Sequence, residues 1–175
     1  MKARMMDTGF FHAYDIRGLI DAELNGETAE SIGKAFGTII RGKPVVVGRD
    51  IRYSSRKIAP AFIRGLVSVG CPVTDIGECP SPVLFFNAFH LKQFGAMITA
   101  SHNPAEYTGF KFVEPNGLSF LHQYEEMKRI YESGSFMSGK GSVKQADGYT
   151  SYREFLRKAI RLSPKKKITV AVDCL

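Results

Sequence analysis

FGAMITASHNPAEYTGFKFV, residues 94–113, places a cluster of polar side chains between two apolar segments. The first segment, Phe94–Ile98, is a short apolar run typical of a buried β-strand. Turn-forming residues follow it at Thr99–Pro104, so polar side chains stand where a buried strand meets solvent. The second segment, Phe110–Val113, alternates apolar and polar residues and predicts another strand. Because ligands of α/β domains bind at the carboxyl edge of the sheet, this stretch predicts a candidate active site.

Within eleven residues this stretch places a hydroxyl, an imidazole, an amide and an ammonium, on Ser101, His102, Asn103 and Lys111. Ser101 is either a nucleophile or a turn residue whose hydroxyl binds a nearby amide. A serine hydrolase favours glycine two residues before and two residues after its serine. Those positions hold Thr99 and Asn103 here, and no acidic residue can be assigned as a third partner. The pattern therefore argues against acyl transfer.

Predicted strands and helices alternate along the rest of the chain. Strands are predicted within residues 10–20, 45–47, 72–77, 94–100, 110–113 and 168–173, and helices at 28–41, 56–69, 82–92, 124–131 and 150–162. Ser54 and Ser55 are predicted to cap the second helix and Ser81 the third. Residues 133–148 are rich in glycine and serine and predict a loop. This alternation predicts an α/β fold, a three-layer α/β/α sandwich around a mainly parallel mixed sheet.

The composition is that of a folded globular domain. Of 175 residues, 44% are hydrophobic and 23% are charged, which excludes a disordered chain. No apolar run approaches the roughly 18 residues that span a membrane, and residues 1–7 have no apolar signal region. The three cysteines match no zinc or redox spacing and are predicted to be buried free thiols. A cytoplasmic location is expected.

The net charge of +7 is concentrated near the end of the sequence. Residues 151–175 carry seven Lys or Arg against two acids. Such a block can attract anionic partners, but no aromatic-interleaved RNA motif or zinc finger accompanies it. We interpret it as a solvated helix face and linker, and we expect neither a nucleic-acid nor a membrane partner.

Phosphoryl transfer fits the polar cluster better than acyl transfer. That chemistry needs an oxygen to carry the phosphoryl group, cations to neutralise its charge and usually a metal ion. Ser101 supplies the oxygen. Arg17, Arg49 and Lys111 supply positive charge if their segments converge on one edge of the sheet. Taken alone, Arg17 is better interpreted as a surface residue paired with an acid.

Two neighbours of the serine have supporting roles in this hypothesis. Asn103 and the amides of the turn can hold the serine in place. His102 can hydrogen-bond a phosphate or move a proton, and its alternative is a histidine without function in an exposed turn.

Four motifs occur in an order that resembles a known family: AYDIRG at 13–18, GRD at 48–50 with Arg52, TASHNP at 99–104 and GFK at 109–111. They resemble the first domain of the α-D-phosphohexomutases, nearest to the phosphomannomutase/phosphoglucomutase branch. The resemblance covers residues 9–175 and implies a phosphoglucomutase domain I-like fold. The closing segment, VAVDC at 170–174, resembles the first strand of that family's second domain.

The resemblance implies an isomerase that interconverts hexose 1-phosphate and 6-phosphate through a phosphoserine. Ser101 would give its phosphate to the substrate, and the bound 1,6-bisphosphate would reorient and return the other phosphate. Mg²⁺ is the implied cofactor, held by Ser101 through its phosphate, and a hexose 1,6-bisphosphate is the implied activator. The implied catalytic residues are Ser101, His102, Arg17 and Lys111, and the implied substrate- and phosphate-binding residues are Tyr14, Asn103 and Arg49.

The resemblance also implies a domain organisation. Residues 1–148 correspond to domain I, and residues 149–175 to a linker helix and the first strand of a truncated domain II. The remaining metal ligands and the sugar-binding loops are expected in domains II to IV, so the chain alone is expected to be inactive. The partners implied are mannose or glucose phosphates and the protein's own missing domains, in a monomer or homodimer.

Two alternatives stay open. Phosphoglucosamine mutases share the serine motif, but they usually open with a Gly-Thr-rich motif, whereas AYDIRG at 13–18 favours mannose and glucose phosphates. The second alternative is a non-catalytic α/β module that binds anions or a partner chain through the basic helix at 150–162.

Overall fold

The structure, a computed structural model, describes residues 8–160, 167 and 169–173. Within them the chain forms six strands and five α-helices. In chain order these are β1 (Ile16–Leu19), α1 (Gly26–Ile39), β2 (Val45–Arg49), α2 (Tyr53–Ser68), β3 (Pro72–Glu78), α3 (Ser81–Leu91), β4 (Phe94–Ile98), β5 (Tyr107–Val113), α4 (Tyr124–Ser133), β6 (Ser142–Gln145) and α5 (Tyr149–Ala159). None of these helices combines the length and the hydropathy needed to cross a bilayer.

The strands form one sheet in the order β1-β5-β4-β2-β3-β6. β4, β2, β3 and β6 pair in parallel, whereas β5 is antiparallel to both β4 and β1. From β2 the chain passes through α2 to β3 on one side, and from β3 it passes through α3 back to β4 on the other side. The carboxyl ends of β2 and β4 therefore form a topological switch point, where loops diverge and leave a crevice.

Helices cover both faces of the sheet. The larger core lies beneath α1, α2 and α4 and contains packed aromatic rings: Phe36 and Phe112 stack with ring centroids 4.1 Å apart, and Phe62 and Phe110 lie tilted with centroids 4.8 Å apart. A smaller core lies beneath α3, and α5 packs on α3 through Phe86 and Phe155. Each fully buried ring of the larger core contributes about 1.5–3 kcal/mol by burial. The predicted three-layer α/β/α sandwich with a mainly parallel mixed sheet is confirmed.

The predicted serine caps are wrong. α2 begins at Tyr53 and Arg52 occupies its N-cap, so Ser54 and Ser55 are buried inside the helix. α3 begins at Ser81 itself, without a side-chain cap. In each case the residue before the helix already has the extended backbone of an N-cap, and α3 also carries a proline in its first turn.

The segment 133–148 is not entirely a loop, because it contains β6. β6 pairs in parallel with Pro72–Asp75 of β3. Its four residues are all exposed, so they show no apolar alternation that could have predicted a strand. Gly141 reflects a close approach, since a Cβ there would lie 2.1 Å from the carbonyl oxygen of Cys71.

The strand predicted at 168–173 does not form in the part that the structure describes. Thr169–Asp173 have no regular structure, and Val170 and Val172 are exposed. Strand hydrogen bonding requires a neighbour, and no described strand pairs with this segment. Ile168 and Cys174 lie outside the described residues. The division of the chain at residue 148 stays a prediction.

Candidate active site

A cavity of about 650 Å³ occupies the crevice between the ends of β2 and β4. We call it the edge cavity. Its lining includes Asp50 and Arg52, which follow β2, together with Met97, Thr99 and Ser101 from β4 and the segment after it. Cavities at such switch points are the usual ligand sites of open α/β sheets. Of the predicted site residues, Ser101 lines this cavity.

Residues Thr99–Pro104, the serine loop, hold Ser101 in an uncommon backbone conformation. The φ angle of Ser101 is +56°, in the left-handed region. A residue with a side chain costs about 1–3 kcal/mol there, and such conformations cluster at functional sites. The N–H of Ser101 donates to Oγ1 of Thr99 at 2.8 Å, and Nδ2 of Asn103 donates to the carbonyl of Ala100 at 2.7 Å. These bonds fix the loop while Ser101 stays exposed.

Arg52 holds the serine loop by its carbonyl groups. Its guanidinium donates to the carbonyl oxygens of Ser101 and Pro104, each at 2.8 Å, and to that of Asn103. Asp50 accepts a hydrogen bond from the Arg52 N–H at 3.1 Å and forms an ion pair with its side chain. Arg52 was not predicted as a site residue. The only signal in the sequence was its place in the motif at 48–52.

Arg17 reaches the serine loop from β1. Its guanidinium pairs with Asp15, and its Nη1 lies 3.5 Å from Oδ1 of Asn103. This approach depends on Gly109 of β5, which pairs with Arg17 on one side and accepts a hydrogen bond from the Thr99 N–H on the other. A Cβ at Gly109 would lie 2.2 Å from the backbone. The structure thus brings Arg17 next to Asn103, two residues after Ser101 in the serine loop.

Among the described residues that line the edge cavity, His102, Lys111 and Tyr14 do not appear. Nδ1 of His102 lies 3.4 Å from Oγ of Ser101. Lys111, half-buried in β5, stands opposite Met97, which lines the edge cavity. Among the described residues the side chain of Lys111 has no hydrogen-bond or ion-pair partner. Tyr14 is exposed, in the segment before β1.

Arg49 is held away from the serine loop. Its Nη1 lies 3.4 Å from Oδ1 of Asp75, which also accepts a hydrogen bond from the Gly77 N–H, while Oδ2 of Asp75 accepts one from Gln145. We call these four residues the Arg49 cluster. Arg49, Asp75 and Gln145 line a separate cavity of about 450 Å³ beside α2. Phosphate binding by Arg49 stays a prediction that this placement does not support.

Comparison with known proteins identifies the fold family. A family model described as phosphoglucomutase/phosphomannomutase, alpha/beta/alpha domain I, matches residues 9–137. The chain belongs to this family. It is 40% identical over 177 residues to a phosphomannomutase/phosphoglucomutase of Pseudomonas aeruginosa PAO1, covering 99% of the chain and 38% of that relative. It is 39% identical over 174 residues to a protein of Thermococcus gammatolerans named probable phosphoglucosamine mutase, covering 94% of the chain and 37% of that relative.

A solved structure agrees with this assignment. The crystal structure of a phosphoglucomutase/phosphomannomutase family protein from Burkholderia thailandensis superposes with a TM-score of 0.84 at 35% identity, covering 91% of the chain and 38% of that protein. The chain therefore spans about 38% of the length of these family members. The resemblance seen in the four sequence motifs is confirmed.

The described residues of this phosphohexomutase domain do not form a metal site by themselves. No three His, Cys, Asp or Glu side chains among them come together as a ligand set. Asp50, the acid that lines the edge cavity, is engaged by Arg52. Mg²⁺ prefers six oxygen ligands, and the serine loop offers the Ser101 oxygen as its side-chain candidate.

Proposed function

We propose that the chain is the phosphoserine-carrying domain of a phosphohexomutase that interconverts hexose 1-phosphate and hexose 6-phosphate. The observation that carries the proposal is the exposed Ser101, held at positive φ at the mouth of the edge cavity and 3.4 Å from His102. Family membership supports the reaction class.

The proposed reaction consists of two transfers through Ser101. In the first, the bond from phosphorus to the serine Oγ breaks and a bond to a hydroxyl oxygen of the hexose monophosphate forms. The sugar hydroxyl loses a proton and the serine oxygen gains one, and Nδ1 of His102 is near enough to exchange that proton at Oγ. The 1,6-bisphosphate then reorients in the site, and its other phosphate is transferred to the serine by the reverse step.

Positive charge around the serine supports the transfer. Arg17 is anchored through Asp15 and Asn103, which directs its guanidinium toward the serine loop. Lys111 faces the same side of the sheet as Met97 and has no acidic partner among the described residues. Fixed cations lower the barrier to phosphoryl transfer because they need no reorganisation as charge develops. Tyr14 is proposed to contact the sugar phosphate.

The complete protein is proposed to use Mg²⁺ and a hexose 1,6-bisphosphate activator. Mg²⁺ bound to the phosphoserine would supply Lewis-acid charge neutralisation. Its other ligands and the sugar-binding loops are proposed to lie in parts of the protein beyond this chain, so residues 1–175 alone should not turn over substrate. A cytoplasmic location is proposed because Cys71 and Cys79 are buried free thiols, as in proteins of reducing compartments.

The assay that tests the proposal compares three substrates. Mannose 1-phosphate, glucose 1-phosphate and glucosamine 1-phosphate are each offered to the complete gene product with Mg²⁺ and the matching 1,6-bisphosphate. We expect turnover of a mannose or glucose phosphate, lost in Ser101→Ala. Turnover of glucosamine 1-phosphate alone would favour the second candidate, phosphoglucosamine mutase. This candidate is supported by the 39% identical relative that is named probable phosphoglucosamine mutase.

A binding module is the remaining alternative, and charge reversal separates it from the mutase. Arg157→Glu with Lys158→Glu changes the last turn of α5, away from the serine loop. These changes should leave mutase turnover intact. Unchanged turnover in Ser101→Ala, or no turnover of any of the three sugars by a folded wild type, would contradict the proposed function.

A further inference from the structure

The guanidinium of Arg52 uses its donors on the backbone of the serine loop. Nη1 donates to the carbonyl of Pro104 at 2.8 Å, and Nη2 donates to the carbonyls of Ser101, at 2.8 Å, and Asn103. Nε faces Asp50, with Oδ2 at 3.5 Å. A guanidinium is a planar group with five N–H donors in fixed directions. The guanidinium of Arg52 makes four contacts within the protein, three with carbonyl groups and one with Asp50. Arg52 therefore has little donor capacity left to bind a phosphate.

Asp50 fixes Arg52 at both ends. One carboxylate oxygen accepts the backbone N–H of Arg52 at 3.1 Å, and the other pairs with its side chain. The N–H of Asp50 in turn donates to the carbonyl of Ile98, the last residue of β4, at 3.0 Å. The end of β2, the end of β4 and the serine loop are therefore joined through one arginine and one aspartate.

The hydrogen bond from Arg52 to the Ser101 carbonyl restrains the backbone conformation of Ser101. That carbonyl belongs to the peptide plane that follows Ser101, so fixing it limits the ψ angle of Ser101. The φ angle of +56° is unfavourable for a residue with a side chain and persists only where its surroundings enforce it. The other bonds within the loop hold the N–H of Ser101 and the side chain and N–H of Asn103, both of which donate to the Ala100 carbonyl, and none of these bonds holds the Ser101 carbonyl. Without Arg52 the bond from Asn103 to Ala100 still closes the turn, but the Ser101 carbonyl is no longer held, so the ψ angle of Ser101 and the position of its Oγ can shift.

We propose that Arg52 is a positioning residue for phosphoryl transfer, which keeps Ser101 in its left-handed conformation without contacting the substrate. The inference rests on the proposed function. Displacing a reacting atom by about 1 Å can cost roughly 100-fold in rate, because in-line transfer requires alignment of the attacking and leaving oxygens.

The test measures kcat, KM and phosphate on Ser101 in the complete gene product. Arg52→Ala should lower kcat by roughly 100-fold while KM changes by less than about 3-fold, since ground-state binding is retained. Arg52→Lys should show nearly the same loss, because one ammonium cannot reach three carbonyls. About 10 mM guanidinium ion should recover part of the kcat of Arg52→Ala, and none of the activity lost in Ser101→Ala.

The matched control is Arg56→Ala, one turn further along α2. Arg56 pairs with Glu78 and makes no described contact with the serine loop, so its kcat should stay at the wild-type value. If Arg52→Ala fails to fold by circular dichroism, Arg52→Lys, which keeps the charge and most of the volume, takes its place.

Two results would overturn the inference while leaving the proposed function intact. One is an active, phosphorylated wild type whose folded Arg52 variants have the same kcat. The other is a loss that appears in KM alone, which would make Arg52 a substrate contact. A folded wild type with neither turnover nor phosphate on Ser101 would instead overturn the proposed function, and the inference with it.

Discussion

Arg49 and Arg52 lie three residues apart at the end of β2, and their guanidinium groups bind different partners. Arg49 lies against the carboxylate of Asp75, and that carboxylate also binds Gln145 of β6. Arg52 binds carbonyl oxygens of the serine loop. The first arrangement joins β2, β3 and β6, whereas the second shapes the loop that carries Ser101. The comparison teaches that two arginines at one edge of the sheet have different roles: the contacts of Arg49 stabilise the fold, and those of Arg52 shape the active-site loop. Substitutions in the Arg49 cluster should therefore lower stability, and substitutions in the serine loop should lower activity.

The largest expected effect is loss of phosphate transfer in Ser101→Ala. The variant removes the oxygen that carries the phosphoryl group, so turnover by the complete gene product should fall to background. The exposed side chain makes few contacts, so the urea unfolding midpoint should move little. Residual turnover above a tenth of the wild-type rate would contradict the claim that Ser101 carries the phosphoryl group.

Asp75→Asn should have the opposite profile. The substitution leaves the partly buried Arg49 without its charged partner, and one amide oxygen must replace two carboxylate oxygens that accept hydrogen bonds from Arg49, Gly77 and Gln145. We expect a loss of about 2–3 kcal/mol in the free energy of unfolding, measured in urea.

Asp21→Asn is the matched control for Asp75→Asn. It breaks an exposed pair with Lys57, which should leave the midpoint unchanged. Phosphate transfer per folded molecule should be normal in both aspartate variants. A stable Asp75→Asn variant with impaired transfer would assign the Arg49 cluster to the active site.

The strain at Ser101 can be measured by comparing two replacements. Both Ser101→Gly and Ser101→Ala remove the hydroxyl, but only glycine adopts positive φ without a steric cost. Ser101→Gly should therefore be more stable than Ser101→Ala, by about 1 kcal/mol in urea unfolding. Equal stabilities would show that the loop is not held in the left-handed region in solution.

The smallest effect concerns Cys79, whose N–H donates to the carbonyl of Arg49. Burial raises the pKa of its thiol to about 11. Unfolded thiols ionise near pH 8.5, so above that pH the folded state binds more protons and stability falls as pH rises toward 11. Between pH 8.5 and 9.0 the wild type should lose about 0.5 kcal/mol more than Cys79→Ala. An identical pH dependence would mean that the thiol is accessible to solvent.

The sequence predicted the strands around the serine loop because their apolar runs are strong local signals. It placed Ser101 at the carboxyl edge of the sheet, whereas it could place Arg17 there only on the condition that the loops converge, because no strand order was predicted. Arg49 was expected beside them, but successive side chains of a strand point to opposite faces, and Arg49 faces α2. The contacts of Arg52 depend on how closely β2 and β4 end in space. No local pattern encodes that distance.

β6 escaped prediction for a different reason. Its four residues are exposed on both faces, and only pairing with β3 makes them a strand. The glycine near its start looked like a loop signal, although it permits close contact with Cys71. The alternation of apolar and polar residues that predicts a strand arises because one of its faces is buried. A strand that is defined only by backbone pairing shows no such alternation.

The most direct test of the central claim is mass spectrometry of the tryptic peptide Gln93–Lys111, QFGAMITASHNPAEYTGFK. The complete gene product is analysed before and after incubation with a hexose 1,6-bisphosphate and Mg²⁺. We predict one phosphate, localised to Ser101, whose occupancy rises on incubation. A folded protein whose peptide stays unmodified under both conditions, or carries its phosphate at Thr99, would contradict the account.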